Sequence, residues 1–261
     1  MKINILGAGN VAFHLAKAFR DTQHDVAIWN HSEQSLVSLN LTGVKLCTTN
    51  MRELPTDVDL IIISVKDRVV AEVAEKISAI MSNKNIPVVH TAGSLHADIL
   101  APYFPNFGVM YPLQTFSKSV ELDYSKIPFF IEGSDGVLNT IKSVLKNVST
   151  KIFVLGSKER ESLHLASVFA CNFVNHNIAI AQRILSEVNV PINALFPLIN
   201  ETIRKLNYCT PVEGQTGPAS REDYNVINKH IGMLKNFPTE QLIYKLETQD
   251  IIDFKNKEQH D

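Results

Sequence analysis

The first twelve residues constrain the fold of this chain more than any other stretch. A short β-prone run, Lys2 to Leu6, leads directly into Gly7-Ala8-Gly9, and Ala12 follows three residues after the second glycine. This spacing predicts a strand, a tight turn at Gly7, and a helix that Ala12 packs against the sheet. Gly9, Asn10 and Val11 would then present backbone N–H groups to a pyrophosphate. The motif indicates a dinucleotide site; the alternative is an ordinary glycine-rich turn between a strand and a helix.

Composition narrows the class of partner. The chain has 261 residues, of which 45% are hydrophobic and 20% charged, enough for one large or two modest globular domains. A formal net charge of −2 argues against nucleic acid or an anionic membrane surface as the main partner, so we expect a small-molecule substrate. Three widely spaced cysteines indicate neither a disulfide framework nor a metal site. With no secretory segment or membrane span, the sequence predicts a cytoplasmic protein.

Alternating strand and helix patterns continue for about 155 residues, and a change of period follows. This predicts a doubly wound Rossmann-like α/β domain over residues 1–156 and an all-helical domain over residues 157–261. A long helical pattern begins at Ser157 and ends before Pro191. The predicted strands after the first are 25–29, 44–47, 58–65, 86–90, 107–110, 128–131 and 151–155.

The end of the second predicted strand bears on the choice of cofactor. An NAD site usually has an Asp or Glu at this point, to bind the ribose hydroxyls. This chain instead has Asn30, His31 and Ser32, which are three hydrogen-bond donors without a carboxylate. We therefore favour NADP over NAD. Ser32 can also serve only as the N-cap of the next helix.

Two further strand ends supply candidate site residues at the same edge of the sheet. Ser64, Val65 and Lys66 follow a run that reads as a buried central strand, and we expect Asp67 to cap the helix after them. Gly93 and Ser94 form a turn that can present N–H groups and a hydroxyl to a substrate or to the nicotinamide amide. The alternatives are a solvated lysine and a plain loop.

The long helix of the second half carries polar residues on an otherwise apolar pattern. At 100° per residue, His164, Cys171 and Asn175 share one face, and Asn172 lies about 80° away. His164 is the best candidate general acid, because an imidazole titrates near neutral pH. These residues can equally be hydrogen-bonded amides in a core or an interface.

A loop from Gly214 to Asp223 precedes another predicted helix. Ser220 and Asp223 match a helix-capping signal, while Arg221 can bind a carboxylate or phosphate of the substrate through two parallel hydrogen bonds.

Together these motifs resemble a family of NADP oxidoreductases that join a Rossmann-like domain to a helical domain of unassigned function. The resemblance covers essentially the whole chain, and its most specific part is Thr216-Gly217-Pro218 with Arg221 and Asp223. The other segments that carry it are 7–12, 29–32, 60–67, 90–94, Tyr111-Pro112-Leu113-Gln114-Thr115, and His164 with Asn172. More distantly, the chain is similar to pyrroline-5-carboxylate reductase, deazaflavin-dependent NADP reductases and β-hydroxyacid dehydrogenases. The resemblance implies a 6-phosphogluconate-dehydrogenase-like fold, a homodimer formed through the helical domain, and an active site between the domains.

The sequence departs from these families at two positions. The β-hydroxyacid dehydrogenases place a catalytic lysine one turn before the helix asparagine, and if Asn172 is that asparagine, Val168 stands there. His164 lies about 12 Å from Asn172 along a regular helix axis, too far for both to touch one atom. In the family's G-P-x-x-R-G-D loop, Glu222 replaces the second glycine.

The leading hypothesis is an NADP-dependent oxidoreductase that transfers hydride to or from a small carbonyl, imine or hydroxyacid-like compound. Asn172 would orient the substrate and His164 would act as acid or base. The main alternative is a non-catalytic NADP-binding sensor or regulatory dimer that lost turnover with the lysine. A third is a flavin or deazaflavin ligand in addition to NADP.

Overall fold

A computed structural model describes residues 1–40 and 42–258, with the side chains of 1–40 and 42–255. The chain forms two compact units, Met1–Cys171 and Asn172–Asp261, and each is described by itself. The first unit contains one eight-stranded sheet in the order β3-β2-β1-β4-β5-β6-β7-β8. Its strands are β1 Lys2–Leu6, β2 Asp25–Trp29, β3 Leu46–Thr48, β4 Leu60–Ile63, β5 Val88–His90, β6 Phe107–Pro112, β7 Phe129–Gly133 and β8 Ile152–Val154.

Helices fill the connections of the first unit and make up the second. In the first unit they are α1 Asn10–Asp21, α2 Glu33–Asn40, α3 Val70–Ile80, α4 Asp135–Leu145 and α5 Ser157–Ser167. A π-helical segment, Val168–Phe173, spans the boundary between the two units. The second unit continues with α6 Val174–Ser186, α7 Phe196–Lys205, α8 Tyr224–Met233 and α9 Pro238–Glu258. Short 3₁₀ turns lie at Met51–Glu53, Asp67–Val69, Ala97–Leu100, Tyr124–Lys126, Ile192–Leu195 and Leu234–Asn236.

The sheet is parallel except for one antiparallel pair, β6 with β7. Both of its faces are buried, because alternate residues of each central strand belong to different cores. Ile3 and Ile62 join the core beneath α1 and α4, whereas Leu6 and Ile63 join the core beneath α3. The predicted doubly wound fold is thereby confirmed. The domain boundary placed at residue 156 stays a prediction.

The strand order determines where a ligand can bind. β1 lies between β2 and β4, so the chain reverses its direction of travel across the sheet at β1. Helices α1 and α3 consequently cover opposite faces, and a crevice opens at the carboxyl ends of β1 and β4.

The helical pattern from residue 157 is present, but it is not one regular α-helix. The π-helical segment Val168–Phe173 interrupts it, and a π turn contains more residues than an α turn. The predicted common face of His164, Cys171 and Asn175 is therefore wrong, since it assumed 100° per residue throughout. The same applies to the predicted axial separation of His164 and Asn172. Cys171, Asn172 and Asn175 are also exposed in the single chain rather than buried.

Candidate functional site

The glycine-rich turn has the backbone geometry that its sequence predicts. Gly7 has a φ of +126°, and a Cβ there would lie 2.0 Å from the Ser64 carbonyl oxygen, so no other residue fits. Gly9 caps α1, and a Cβ at Gly9 would meet no atom of the described chain within 4 Å. The N-terminus of α1 therefore opens onto free space beside Gly9, as a bound pyrophosphate requires.

A cavity of about 910 Å³ opens at this turn and extends along the carboxyl ends of β1, β2, β4 and β5. It is lined by nine of the ten residues that sequence predicts to bind the cofactor: Gly7, Gly9, Asn10, Val11, Asn30, His31, Ser64, Val65 and Lys66. Ser32 is not among the lining residues; Ser35, on the first turn of α2, lines the cavity instead. Gly93, Ser94 and His164 line the same cavity.

Several lining residues were not assigned a role from sequence. Ala8 lies within the glycine-rich motif and Trp29 directly precedes Asn30, so both line the cavity beside predicted residues. The turn before α3 and α3 itself contribute a further group: Arg68, Val69, Glu72, Val73 and Lys76. At the other end, Thr91, Ala92 and Tyr111 complete the wall. The valines give the α3 side an apolar surface of the kind that holds an adenine ring.

Asn30 and Trp29 shape the end of the cavity at β2. Asn30 is buried, and its Nδ2 donates to the Ser32 carbonyl at 3.1 Å, which fixes the turn into α2. The Trp29 indole donates to the Thr49 carbonyl at 3.0 Å while the ring contributes to the cavity wall. His31 is exposed and faces the cavity opening. A ribose bound here would meet polar groups without a carboxylate at position 30.

His164 and Tyr111 meet at the opposite end. Tyr111 Oη lies 3.1 Å from His164 Nδ1, and the two rings are packed edge to face with centroids 6.0 Å apart. Burial raises the pKa of the Tyr111 phenol, with Arg160 opposing the shift, so the phenol is protonated at neutral pH. Sequence reasoning found the imidazole but not the phenol beside it.

Gly93 is the residue that allows this pair to approach the loop after β5. A Cβ at Gly93 would lie 2.6 Å from His164 Nδ1 and 2.9 Å from Tyr111 Cζ. Both distances are shorter than side chains tolerate, so glycine is required by packing rather than by an unusual φ. The predicted Gly93-Ser94 turn thus contacts the Tyr111–His164 pair directly.

A buried histidine orders the same loop. His90 is fully buried, and burial lowers its pKa to about 4, so it is neutral at pH 7. Its Nδ1 accepts a hydrogen bond from the Ala92 N–H at 3.2 Å. The proton therefore resides on Nε2, which donates to the His96 carbonyl at 3.2 Å. His90 consequently ties both ends of the 91–96 turn.

Hydroxyl contacts link the loop after β5 to the one after β4. Ser94 Oγ donates to the Asp67 carboxylate, and Thr91 Oγ1 donates to Ser64 Oγ at 3.2 Å. The predicted capping role of Asp67 is wrong: a 3₁₀ turn begins at Asp67, and α3 starts only at Val70. Its carboxylate instead holds Ser94 at the cavity wall.

A buried arginine positions the helix that carries His164. Arg160 lies one turn before His164 on α5, is fully buried, and pairs with Glu132 of β7. Its guanidinium also donates to the Leu95 carbonyl, in the loop next to Ser94. Ser157 Oγ donates to the Glu132 carboxylate at 2.9 Å. These contacts join α5 to β7 and to the loop that follows β5. They thereby fix the position from which His164 reaches the cavity.

Two predicted site residues belong to the second unit: Asn172, predicted to be catalytic, and Arg221, predicted to bind the substrate. Asn172 is exposed at the start of this unit, and Arg221 is exposed in the loop before α8. The predicted cap at Ser220 is wrong, because Asp223 is the N-cap and accepts from the Val226 N–H at 3.2 Å. Glu222 has a φ of +54°, a conformation that favours glycine. The glycine that the resembled family has at this position would adopt this positive φ without steric cost.

The described residues offer no metal centre, since they contain no cluster of three or more His, Cys, Asp or Glu side chains that could hold an ion. No helix in the described part of the chain is long and apolar enough to cross a membrane.

Two family models match the chain. Residues 2–92 match the family described as NADP oxidoreductase, coenzyme F420-dependent, and residues 127–251 match a domain of unknown function, DUF2520. Among solved structures, a putative NADP oxidoreductase from Bacteroides fragilis is 39% identical, with a TM-score of 0.90 over 97% of this chain and 98% of that one. Both units of the present chain therefore have close counterparts in that one solved protein.

Other similarities are more distant and concern the fold. A Thermotoga maritima protein is 20% identical with a TM-score of 0.71, covering 98% of this chain and 99% of that chain. Pyrroline-5-carboxylate reductase from Coxiella burnetii is 14% identical with a TM-score of 0.61, covering 95% and 97%. Glycerol-3-phosphate dehydrogenase of Bacillus licheniformis is 33% identical over 112 residues, 38% of this chain. The chain spans about a third, 32%, of that enzyme's length.

Proposed function

Since this chain belongs to the same NADP oxidoreductase family as the Bacteroides fragilis protein, we propose that it transfers hydride between NADP(H) and a small carbonyl, imine or hydroxyacid-like compound. One observation carries the proposal: the glycine-rich turn and the Tyr111–His164 pair line the same cavity. A dinucleotide held at the turn would extend along the strand ends toward the pair.

The residues present fit a nicotinamide dinucleotide. Open space at Gly9 admits the pyrophosphate, and the polar side chains of Asn30 and His31, neither of them a carboxylate, suit an NADP ribose better than an NAD ribose. When bound, the nicotinamide supplies or accepts the hydride. Ser94 and the backbone of the Gly93 turn are placed to hold the carboxamide or the substrate.

The protein's own chemistry is proton transfer at the far end of the cavity. Carbonyl or imine reduction requires a proton on oxygen or nitrogen as hydride reaches carbon, and the reverse reaction requires its removal. His164 Nδ1 shares a hydrogen bond with the protonated phenol of Tyr111, so a proton delivered by one group can be replaced from the other. Asn172 and Arg221 are proposed to orient the substrate.

Titration of the protein with NADPH and NADH, followed through Trp29 fluorescence, tests cofactor binding. Trp29 is the only tryptophan and lies on the cavity wall. We expect quenching and energy transfer to the reduced nicotinamide; no change at millimolar cofactor would reject the site. A carbonyl and imine panel, with a deazaflavin as an alternative hydride partner, then tests turnover in wild type, His164→Ala and Asn172→Ala.

A non-catalytic NADP sensor is the second candidate, because Val168 takes the place of the catalytic lysine of β-hydroxyacid dehydrogenases if Asn172 corresponds to their helix asparagine. Tight cofactor binding without turnover of any panel compound would favour the sensor. Turnover that survives in His164→Ala would remove the imidazole from the mechanism while leaving the cofactor site intact.

We also propose a homodimer formed through the helical unit. In the single chain, α6 and α7 contain no buried residue, and Leu198, Ile203 and Phe196 of α7 are 65%, 55% and 49% exposed. Apolar surface of this extent is stable in water only when covered. Light scattering should give twice the 29.1 kDa chain mass, about 58 kDa. Ile203→Glu should shift it toward monomer; a wild-type monomer at micromolar concentration would contradict the proposal.

A further inference from the structure

Lys118 lies beside the glycine-rich turn, on the segment that joins β6 to β7. Its Nζ donates to the Ala8 carbonyl at 3.0 Å and to Ser38 Oγ at 2.9 Å. Ala8 is the middle residue of the turn and lines the cavity. Ser38 lies three residues after Ser35 on α2, and Ser35 also lines the cavity. The ammonium therefore connects the turn to the helix that follows β2.

The segment around Lys118 is fixed to α1 rather than loosely placed. Asn10 Nδ2 donates to the Phe116 carbonyl at 2.8 Å, and His14 Nε2 lies 2.9 Å from the Ser117 carbonyl oxygen. The Lys118 ammonium also lies 5.8 Å from the centroid of the Phe13 ring. These contacts hold the cation in one location, so little side-chain entropy remains to be lost when it binds an anion.

The charge of Lys118 is not neutralised. Its two hydrogen-bond acceptors are a carbonyl and a hydroxyl, and in the described part of the chain no carboxylate lies within ion-pair distance of it. An ammonium has three N–H donors, so one remains. Burial lowers the pKa of Lys118, which means that a nearby anion would relieve an electrostatic cost.

We propose that Lys118 recognises the 2′-phosphate of NADP and thereby sets the preference of this site for NADP over NAD. The inference rests on the proposed function. The ribose that carries the 2′-phosphate belongs at the carboxyl end of β2, and Lys118 contacts the two elements that flank this point, the glycine turn and α2.

Lys118 borders the cavity through its contacts with Ala8 and α2 and is not itself a lining residue. The cations that do line the cavity are less suited to this role. Lys76 pairs with Glu72. Lys66 and Arg68 follow β4, and in the sheet β1 lies between β4 and the β2 strand that ends at Asn30. Lys118 comes from a segment about 90 residues away in sequence, so no motif around Asn30-His31-Ser32 reveals it.

The test compares NADPH and NADH affinities of wild type and Lys118→Gln by calorimetry and Trp29 fluorescence. Gln keeps a donor for the Ala8 carbonyl but removes the charge. Losing a charged hydrogen bond to phosphate should weaken NADPH binding about 10- to 100-fold and leave NADH within about twofold. Adenosine 2′,5′-bisphosphate should lose affinity in parallel with NADPH, whereas AMP should not.

Lys17→Gln is the matched control, because the Lys17 ammonium pairs with the surface carboxylate of Glu121 rather than with the glycine turn or α2. Its NADPH affinity should equal that of wild type. Equal losses for NADPH and NADH in Lys118→Gln would show that Lys118 only braces the turn, and unchanged affinities would also overturn the inference. A wild type that binds neither cofactor would reject the proposed function itself, a distinct result.

Discussion

Substitution of Gly9 by alanine separates cofactor binding from folding. The new methyl group would meet no described atom within 4 Å, so the unfolding free energy should change by less than about 1 kcal/mol. It would, however, occupy the space beside the N-terminus of α1 where the pyrophosphate is proposed to lie. Loss of one or two charge-assisted hydrogen bonds, each about 1.5–3 kcal/mol, corresponds to a 10- to 10⁴-fold weaker NADPH affinity.

The assay is an NADPH titration followed through Trp29 and calorimetry, with a thermal melt of each variant. Gly136→Ala is the matched control, since its Cβ also meets open space but Gly136 lies on α4, away from the cavity. Gly136→Ala should bind NADPH as wild type does. Unchanged affinity in Gly9→Ala would refute the placement of the pyrophosphate. A marked loss of thermal stability in Gly9→Ala would refute the claim that a Cβ at this position meets open space.

In Gly93→Ala the new Cβ would lie 2.6 Å from His164 Nδ1, so the His164 ring would have to move by about 0.8 Å to reach an ordinary contact of about 3.4 Å. We expect turnover of any panel substrate to fall about 100-fold, and a wild-type rate would contradict this prediction. Burial lowers the pKa of His90 to about 4 from the ordinary 6.5, so as the pH falls the unfolded chain takes up a proton at this residue before the folded chain does. The contribution of neutral His90 to stability is therefore present above pH 6.5 and is lost as the pH falls toward 4. Urea denaturation should show about 3 kcal/mol of this loss in wild type and not in His90→Gln; an identical pH profile in the variant would refute it. Glu222→Gly relieves the strain of a φ of +54° but increases the conformational entropy of the unfolded chain. We expect the free energy of unfolding to rise by about 0.5–1 kcal/mol, and a lower melting temperature would refute the claim that Glu222 is strained.

The fold was predictable because its signals are local. The run Asp25–Trp29 is bounded by turn-forming residues, and the observed β2 has the same limits. The predicted strand 58–65 is too long, since the observed β4 is Leu60–Ile63 and the two residues after it, Ser64 and Val65, line the cavity. The glycine-rich motif placed the first strand and helix correctly because Gly7 has a steric requirement that no other residue meets.

The far end of the cavity was only partly predictable, because its contacts join residues distant in sequence. Tyr111 is 53 positions from His164, and a tyrosine near a strand end reads equally well as core. Arg160 looks like a surface residue of an amphipathic helix, yet it is fully buried through its pairing with Glu132. The π-helical segment has no simple sequence signal, so every angular prediction across it fails.

The position of His164 follows from these long-range contacts rather than from its own helix. Arg160 precedes it by one turn on α5, and the Arg160–Glu132 pair joins that helix to β7. Breaking a buried pair by removing one partner typically costs 3–5 kcal/mol, so α5 cannot easily leave the sheet. Because Arg160 also donates to the Leu95 carbonyl, the loop carrying Gly93 and the helix carrying His164 share one anchor. The proposed acid–base group is thus oriented by the same sheet that positions the glycine-rich turn, which is the geometric condition for a hydride and a proton to reach one substrate.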